Sequence, residues 1–165
     1  MSTLAIDTIQ GATTATSVDM SGITNLQMPA GHIIQFKKSL STTSVQATSS
    51  TFVDTGHSLV ITPKFSNSYI FLQMFAGGTQ YNAGSPNDVA IRFKRNGTVI
   101  FTNDRHIYSE DGTWNGINYA TAYIDSPSST SALTYTFEFN GNRSRFNDNS
   151  GPANTSHFIA MEIAQ

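Results

Sequence analysis

The sequence contains no cysteine, and this absence removes several classes of site at once. Disulfide bridges, zinc sites built from thiolates and cysteine nucleophiles are all excluded. A small domain that works outside the cell without disulfides needs another source of stability, and association with further copies is a common one. The missing cysteine therefore favours an oligomer.

Charge is also scarce. Charged residues make up 12% of the chain, and the formal net charge is −2, so no overall field attracts DNA or RNA. No apolar run approaches the roughly 18–20 residues that span a bilayer, and the first residues lack the basic flank and apolar core of a signal peptide. We expect neither a nucleic-acid partner nor a membrane partner.

Hydroxyl and aromatic side chains take the place of the missing charge. Serine and threonine together account for about a quarter of the 165 residues, and the chain has 11 Phe and 6 Tyr. Aromatic and β-branched residues favour strands and can fill a core, which argues against overall disorder. The length suits one domain.

From His32 onward, short apolar runs alternate with turn signals. Val89, Ile91 and Phe93 alternate with outward-pointing Ala90, Arg92 and Lys94. Asn96-Gly97 is a strong hairpin signal because both turn residues need positive φ. The pattern predicts an all-β chain, an antiparallel two-sheet β-sandwich of jelly-roll-like form over residues 32–165. The predicted strands cover residues 32–37, 51–54, 57–62, 69–76, 88–94, 98–102, 117–124, 133–139 and 157–163.

Residues 69–76 differ from the other predicted strands because they are apolar on both faces. Such a pattern is typical of a central strand that is covered twice. We expect the core to cover one face and a subunit interface to cover the other.

Residues 1–31 form a separate segment with single apolar residues spaced among small and hydroxyl residues. It buries too little apolar area to fold on itself, so it is either a disordered tail or an extended arm that orders against a partner or a sheet edge. The recurrent apolar residues favour the arm, with a role in oligomerisation or attachment. These residues are Leu4, Ile6, Ile9, Val18, Met20 and Ile23.

The chemistry-bearing residues form no recognisable catalytic pattern. The four histidines are scattered, and no nucleophile elbow, phosphate-binding loop or dinucleotide fingerprint occurs. Asp104, His106, Glu110 and Asp111 fall in one predicted loop and offer metal-ligand chemistry, but loops are polar in any case. We expect a non-enzymatic protein with no cofactor and no metal site.

Three predicted loops, over residues 77–87, 103–115 and 140–156, are candidates for contact with other molecules. An aromatic ring beside acids and amides suits sugar recognition, because the ring stacks on the sugar's apolar face. Alternatively, Trp114 anchors its loop onto the sandwich. The candidate residues for contact with a glycan or host surface are Tyr81, Tyr108, Trp114 and Asn115.

Six segments of the chain form an ordered set: residues 6–11 (IDTIQG), 28–35 (MPAGHIIQ), 52–70 (FVDTGHSLVITPKFSNSYI), 95–100 (RNGTVI), 125–137 (DSPSSTSALTYTF) and 160–163 (AMEI). Taken in this order, they resemble tail-fibre and other virion proteins of tailed bacteriophages, notably marine ones. The resemblance implies a non-enzymatic structural protein located in the virion, a homotrimer that displays a β-sandwich and binds other virion proteins through its N-terminal arm. The chain departs from long fibres in having no coiled-coil or repetitive shaft.

The sequence leaves other functions open. A capsid decoration or head-fibre protein would use the same arm and sandwich on the head of the particle. A carbohydrate-binding module would depend on Trp114, and a glycan hydrolase would need a carboxylate pair that the sequence does not single out.

Overall fold

The computed structural model of the chain describes residues 28–82, 87–109, 114–141, 143–148 and 154–165. These residues form ten β-strands without a helix, which confirms the all-β prediction. The six apolar residues of the predicted arm, Leu4 to Ile23, lie outside the described residues. The strands are β1 (Ile33–Ser41), β2 (Val45–Ala47), β3 (Val53–Ile61), β4 (Tyr69–Asn82), β5 (Asn87–Arg95), β6 (Thr98–Ser109), β7 (Trp114–Asp125), β8 (Leu133–Phe139), β9 (Ser144–Phe146) and β10 (Ser156–Ile163).

The strands make two antiparallel sheets. Sheet A contains β1, β10 and β4 in that order; β7 pairs along the far edge of β4, while the short β9 and β2 continue from the C-terminal half of β4. Sheet B has the order β3-β8-β5-β6. When β2 and β9 are set aside, the eight longer strands follow the order 1-8-3-6 and 2-7-4-5, which is a jelly roll of two Greek keys.

The core lies between the inner faces of the two sheets and is rich in phenylalanine. Phe93 of sheet B stacks on Phe158 of sheet A with ring centroids 5.7 Å apart, and Phe137 lies 5.1 Å from Phe93. All three rings are fully buried. Alternation explains this packing, because every second residue of these strands points to the same face.

Polar residues extend several strands beyond their predicted ends. Strand β4 continues to Asn82 because β7 and β9 pair with its C-terminal half, and β6 continues to Ser109 because β5 pairs with it. Strand β9 lies within the predicted loop 140–156, and β2 lies within the predicted connection 39–51. The predicted loops were therefore too long.

The break between the predicted strands 51–54 and 57–62 is a bulge within one continuous strand, β3. Asp54 opposes Glu138 and Ser58 opposes Thr136, so β3 uses four steps where β8 uses two. Gly56 has φ +78 and donates its backbone N–H to the Asp54 carboxylate at 2.7 Å. The local geometry is that of a turn, but pairing resumes on the same strand.

Candidate assembly surface

The outer face of sheet A is apolar across four strands. Inward residues of β4, including Ile70, Leu72 and Met74, are fully buried, so the alternate residues point away from the core. Opposed residues in an antiparallel pair share a face, which extends this outer face to the neighbouring strands. We call it the outer A face; it comprises Ile33, Phe36, Lys38, Leu40, Tyr69, Phe71, Gln73, Phe75, Ala120, Ala122, Ile124, His157, Ile159, Met161 and Ile163.

The strand register arranges these side chains in rows. One row crosses the sheet through Phe36, Met161, Phe71 and Ile124, which come from β1, β10, β4 and β7. A second row contains Leu40, His157, Phe75 and Ala120, and the His157 and Phe75 rings meet edge to face with centroids 6.1 Å apart.

Large apolar side chains on this face are open to solvent. Phe36 is 50% exposed, Leu40 52% and Ile124 55%. With strands about 4.8 Å apart and alternate residues about 7 Å apart, the face measures roughly 500 Å² in projection. Patches of this size on a monomer often mark an interaction site.

The outer face of sheet B has the opposite character. Glu138 opposes Arg92 in the register and accepts a bond from Lys94 at 2.8 Å, so three charges meet on this face. Burial would raise the pKa of Glu138, but the bonds from Lys94 and Arg92 outweigh it and lower that pKa. Thr134 and Thr136 precede Glu138 at alternate positions of the same strand. Sheet B thus presents water with the mixture expected of a solvated face.

Charge is sparse on the outer A face. Lys38 is its permanently charged member, and His157 is its other ionisable group apart from the Tyr69 phenol. No Asp or Glu belongs to the face. Removing this surface from water therefore requires little desolvation of charge, which is the main energetic obstacle to burying a protein surface.

An imidazole lies buried between the sheets behind this surface. His57 is fully buried, its ring meets those of Phe146 and Phe158 edge to face, and Nδ1 lies 3.3 Å from Ser39 Oγ. Burial and, to a smaller extent, nearby His157 lower the pKa of His57 from 6.5 to about 4, against an opposing effect of Asp54. The ring is therefore neutral at neutral pH.

A second buried polar cluster joins the two sheets at the end of β7. The Asp125 carboxylate accepts a bond from Tyr135 Oη at 2.6 Å and bonds from Arg95 at 2.9 Å. Burial, together with the bond to Asp125, raises the pKa of Tyr135 far above its ordinary value. These bonds fix the sheets relative to each other, which is a structural role.

The predicted contact residues lie on strands rather than in loops. Tyr81 is near the end of β4, and Trp114 and Asn115 begin β7; in the register Tyr81 opposes Asn115, and Asn82 opposes Trp114. Tyr108 lies on β6 of the other sheet, opposite Asp88. Three of the four candidates thus share one end of sheet A, and pairing of polar strand ends explains why the loop assignment was wrong.

Candidate metal ligands do not gather within the part of the chain that the structure describes. No group of three His, Asp or Glu residues there lies close enough to hold an ion. Asp104 and His106 lie on β6, whereas Glu110 and Asp111 fall outside the described residues. The described ranges also hold no helix long and apolar enough to cross a membrane.

Sequence reasoning found only the central strand of the outer A face. Residues 69–76 are apolar on both faces, and this pattern was the sequence feature that indicated the strand. In the structure these residues point inward and outward in turn, as predicted. The contributions of Phe36, Leu40 and Ile124 were missed. Adjacent lysines obscure the alternation in β1, and only the register with β10 brings its apolar residues into the surface.

No protein-family model and no curated protein matches the chain. Among solved structures, dimeric latent PorU from Porphyromonas gingivalis is similar at 11% identity and a TM-score of 0.30. The match covers 84% of this chain and 14% of PorU. A similarity this low carries no argument about function.

Proposed function

We propose that this chain is a non-enzymatic structural subunit of a bacteriophage virion, of tail-fibre type, that assembles as a homotrimer through the outer A face. The observation that carries the proposal is the contrast between the two sheets, one with a solvated outer face and the other with an apolar one. The resemblance of the ordered sequence segments to virion proteins supports a location in the virion. The N-terminal arm is the segment proposed to attach the subunit to the particle.

A second copy is the occupant that best suits the outer A face. The face is nearly free of charge and every copy carries it, so a neighbouring copy can cover apolar surface with apolar surface. Three such faces turned toward a threefold axis cover one another and close the assembly, whereas a lone copy leaves the surface in water.

Two residues make a matched test of this interface. Ile124 on the outer A face and Val60 on the outer face of sheet B are both β-branched, both lie on strands and are both 55% exposed. In an isolated molecule, lysine at either exposed position changes the free energy of unfolding by no more than about 0.5 kcal/mol. We expect Ile124→Lys to yield monomers in size-exclusion chromatography with light scattering, and Val60→Lys to leave the oligomer intact.

The result that opposes the proposal is equally specific. If Ile124→Lys and Val60→Lys give the same mass as the unaltered chain, the outer A face is not the interface. Far-ultraviolet circular dichroism of both variants shows whether the β-sandwich itself is retained.

Contact with a host-surface glycan is the second part of the proposal, and the position of Tyr81, Trp114 and Asn115 at one end of sheet A favours it. Aromatic residues next to an amide at one sheet end suit the stacking and hydrogen bonding that sugars need. We expect Trp114→Ala to reduce binding to host cells or their extracted polysaccharide several-fold without changing the oligomer. Unchanged binding would remove the glycan role while leaving the structural one.

The alternative to a tail-fibre protein is a decoration or head-fibre protein on the head of the particle. Imaging particles that carry a labelled copy distinguishes the two locations.

A further inference from the structure

Most edge strands in this molecule carry a feature that blocks pairing with another chain. Strand β1 has Lys37 and Lys38, β6 has Asp104 and Arg105, and β2 is only three residues long. Strand β3 is interrupted by the bulge at Gly56. Charges, short length and bulges are the devices by which proteins protect sheet edges.

Strand β7 has none of these features. It is 12 residues long and pairs with β4 along one side, while no described strand occupies its other side. It contains no Lys, Arg or Pro, and its one charged residue, Asp125, stands at the very end with its carboxylate buried. The irregularity in the β4–β7 ladder lies on β4, between Ala76 and Thr79, so β7 itself is continuous.

Two outward residues in the middle of β7 are also small. Ala120 and Ala122 are exposed and lie beside Phe75 and Gln73 of the next strand. A strand added along β7 would find room for its own larger side chains over this part of the edge. The edge thus offers space and a side that no other described strand pairs with.

We infer that the open edge of β7 receives the N-terminal segment of a neighbouring copy as an added strand. This inference rests on the proposed trimer. Residues 3–9 (TLAIDTI) have the composition of a strand, with Leu4 and Ile6 two positions apart and Asp7 as the one charge. They pair with the backbone of β7 as in other cases of strand addition.

The path of the chain favours a neighbouring copy as the donor. Gly31 donates its backbone N–H to Ala164 at 2.9 Å, so the chain enters sheet A at its β1–β10 side. Around a threefold axis, the β1 side of one sheet meets the β7 side of the next. The 27 residues before Met28, at about 3.3 Å each, reach as far as about 90 Å when extended, roughly twice the length of the 12-residue strand β7.

Engineered disulfides test the inference on the full chain, because the natural sequence offers no competing thiol. One preparation carries Ile6→Cys and another carries Ala122→Cys; the two are mixed under conditions that allow subunit exchange and then oxidised. Leu4→Cys and Ala120→Cys extend the scan to a second register, since a disulfide requires Cα atoms about 4.4–6.8 Å apart. Ser58→Cys, exposed on the outer face of sheet B, replaces the β7 cysteine in the control.

We expect a cross-linked dimer on non-reducing gels, several-fold more abundant for the β7 cysteines than for the Ser58→Cys control. Cross-linking no greater than the control in a preparation that light scattering shows to be oligomeric overturns the inference and leaves the trimer standing. If chains carrying both cysteines link only internally, the donor is the same copy and the inference is wrong. A monomeric preparation contradicts the proposed trimer itself.

Discussion

Individual buried polar residues give this chain a definite pH dependence, and His57 is the main source. Its pKa is about 4 in the folded chain and 6.5 in the unfolded one, so the unfolded state binds a proton first as pH falls. The contribution of His57 to the free energy of unfolding is therefore fully present above pH 6.5 and is lost as pH falls toward 4. At about 1.4 kcal/mol per unit, the full loss is about 3 kcal/mol.

We predict that the free energy of unfolding, measured with urea from pH 7 to pH 4, falls more steeply in the unaltered chain than in His57→Phe. The substitution removes the titrating group and places a ring among the rings of Phe146 and Phe158. Carboxylates titrate equally in both proteins, so the difference isolates His57. Parallel pH profiles for the two chains would contradict the assignment.

The pairing of Asp125 with Tyr135 is the second residue-scale feature with a measurable consequence. Asp125→Ala leaves the fully buried Tyr135 hydroxyl without its acceptor and Arg95 without its carboxylate, at an expected cost of about 3 kcal/mol. In a Tyr135→Phe background, the same substitution should cost less, because one stranded donor is gone. Thermal unfolding of the four chains measures the coupling, and strictly additive losses would show that the bond contributes nothing.

Turn chemistry was predictable residue by residue, but its consequence for the fold was not. Asn96 and Gly97 have φ +49 and +81 and join β5 to β6, as the dipeptide predicts. Gly56 also has positive φ, yet it forms a bulge and not a chain reversal. Whether a strand resumes after such a residue depends on its partner, β8, which lies far away in the sequence.

At the level of elements, alternation predicted the strands that face one core. Strands β5 and β8 have their apolar residues at every second position, and the structure buries Val89, Ile91 and Phe93 as expected. Strands β2 and β9 were missed because three residues are too few to show a period. They exist because β9 pairs with both β2 and β4.

The bulge that ends the β10 pairing on β4 depends on a glycine. A Cβ at Gly77 would lie 2.6 Å from the backbone carbonyl oxygen of Thr155, which cannot move without shifting the chain before β10. We predict that Gly77→Ala costs about 2 kcal/mol or more. Gly97→Ala is the control, since its Cβ meets open space and only its positive φ costs about 1 kcal/mol. Urea unfolding compares the free energies of unfolding of the two variants. A smaller loss for Gly77→Ala than for Gly97→Ala would show that the close contact between Gly77 and the Thr155 backbone does not constrain β4.

For the whole molecule, composition and periodicity were enough to predict a two-sheet antiparallel sandwich of jelly-roll-like form, and the described residues confirm it. The outward apolar residues of the central strand belong to an outer face that spans β1, β10, β4 and β7, and its covering by another subunit remains a prediction. That extent could not be predicted, because it depends on cross-strand register between segments far apart in the sequence, such as β1 and β10.

The two outer faces differ in character, and this difference explains why we expect the molecule to associate through the outer A face only. The charged cluster of Glu138, Arg92 and Lys94 keeps sheet B in water, because burying it would require desolvating three charges. Sheet A has no comparable barrier. In the proposed assembly, sheet B and its solvated surface lie on the outside.

The molar mass of the full chain in solution tests the central claim most directly. Three copies of a 17.9 kDa chain give about 54 kDa, and we expect light scattering to return this mass across the micromolar concentration range. A stable species of 17.9 kDa over the same range would show that the apolar outer face of sheet A stays in contact with water, and it would contradict assembly through that face.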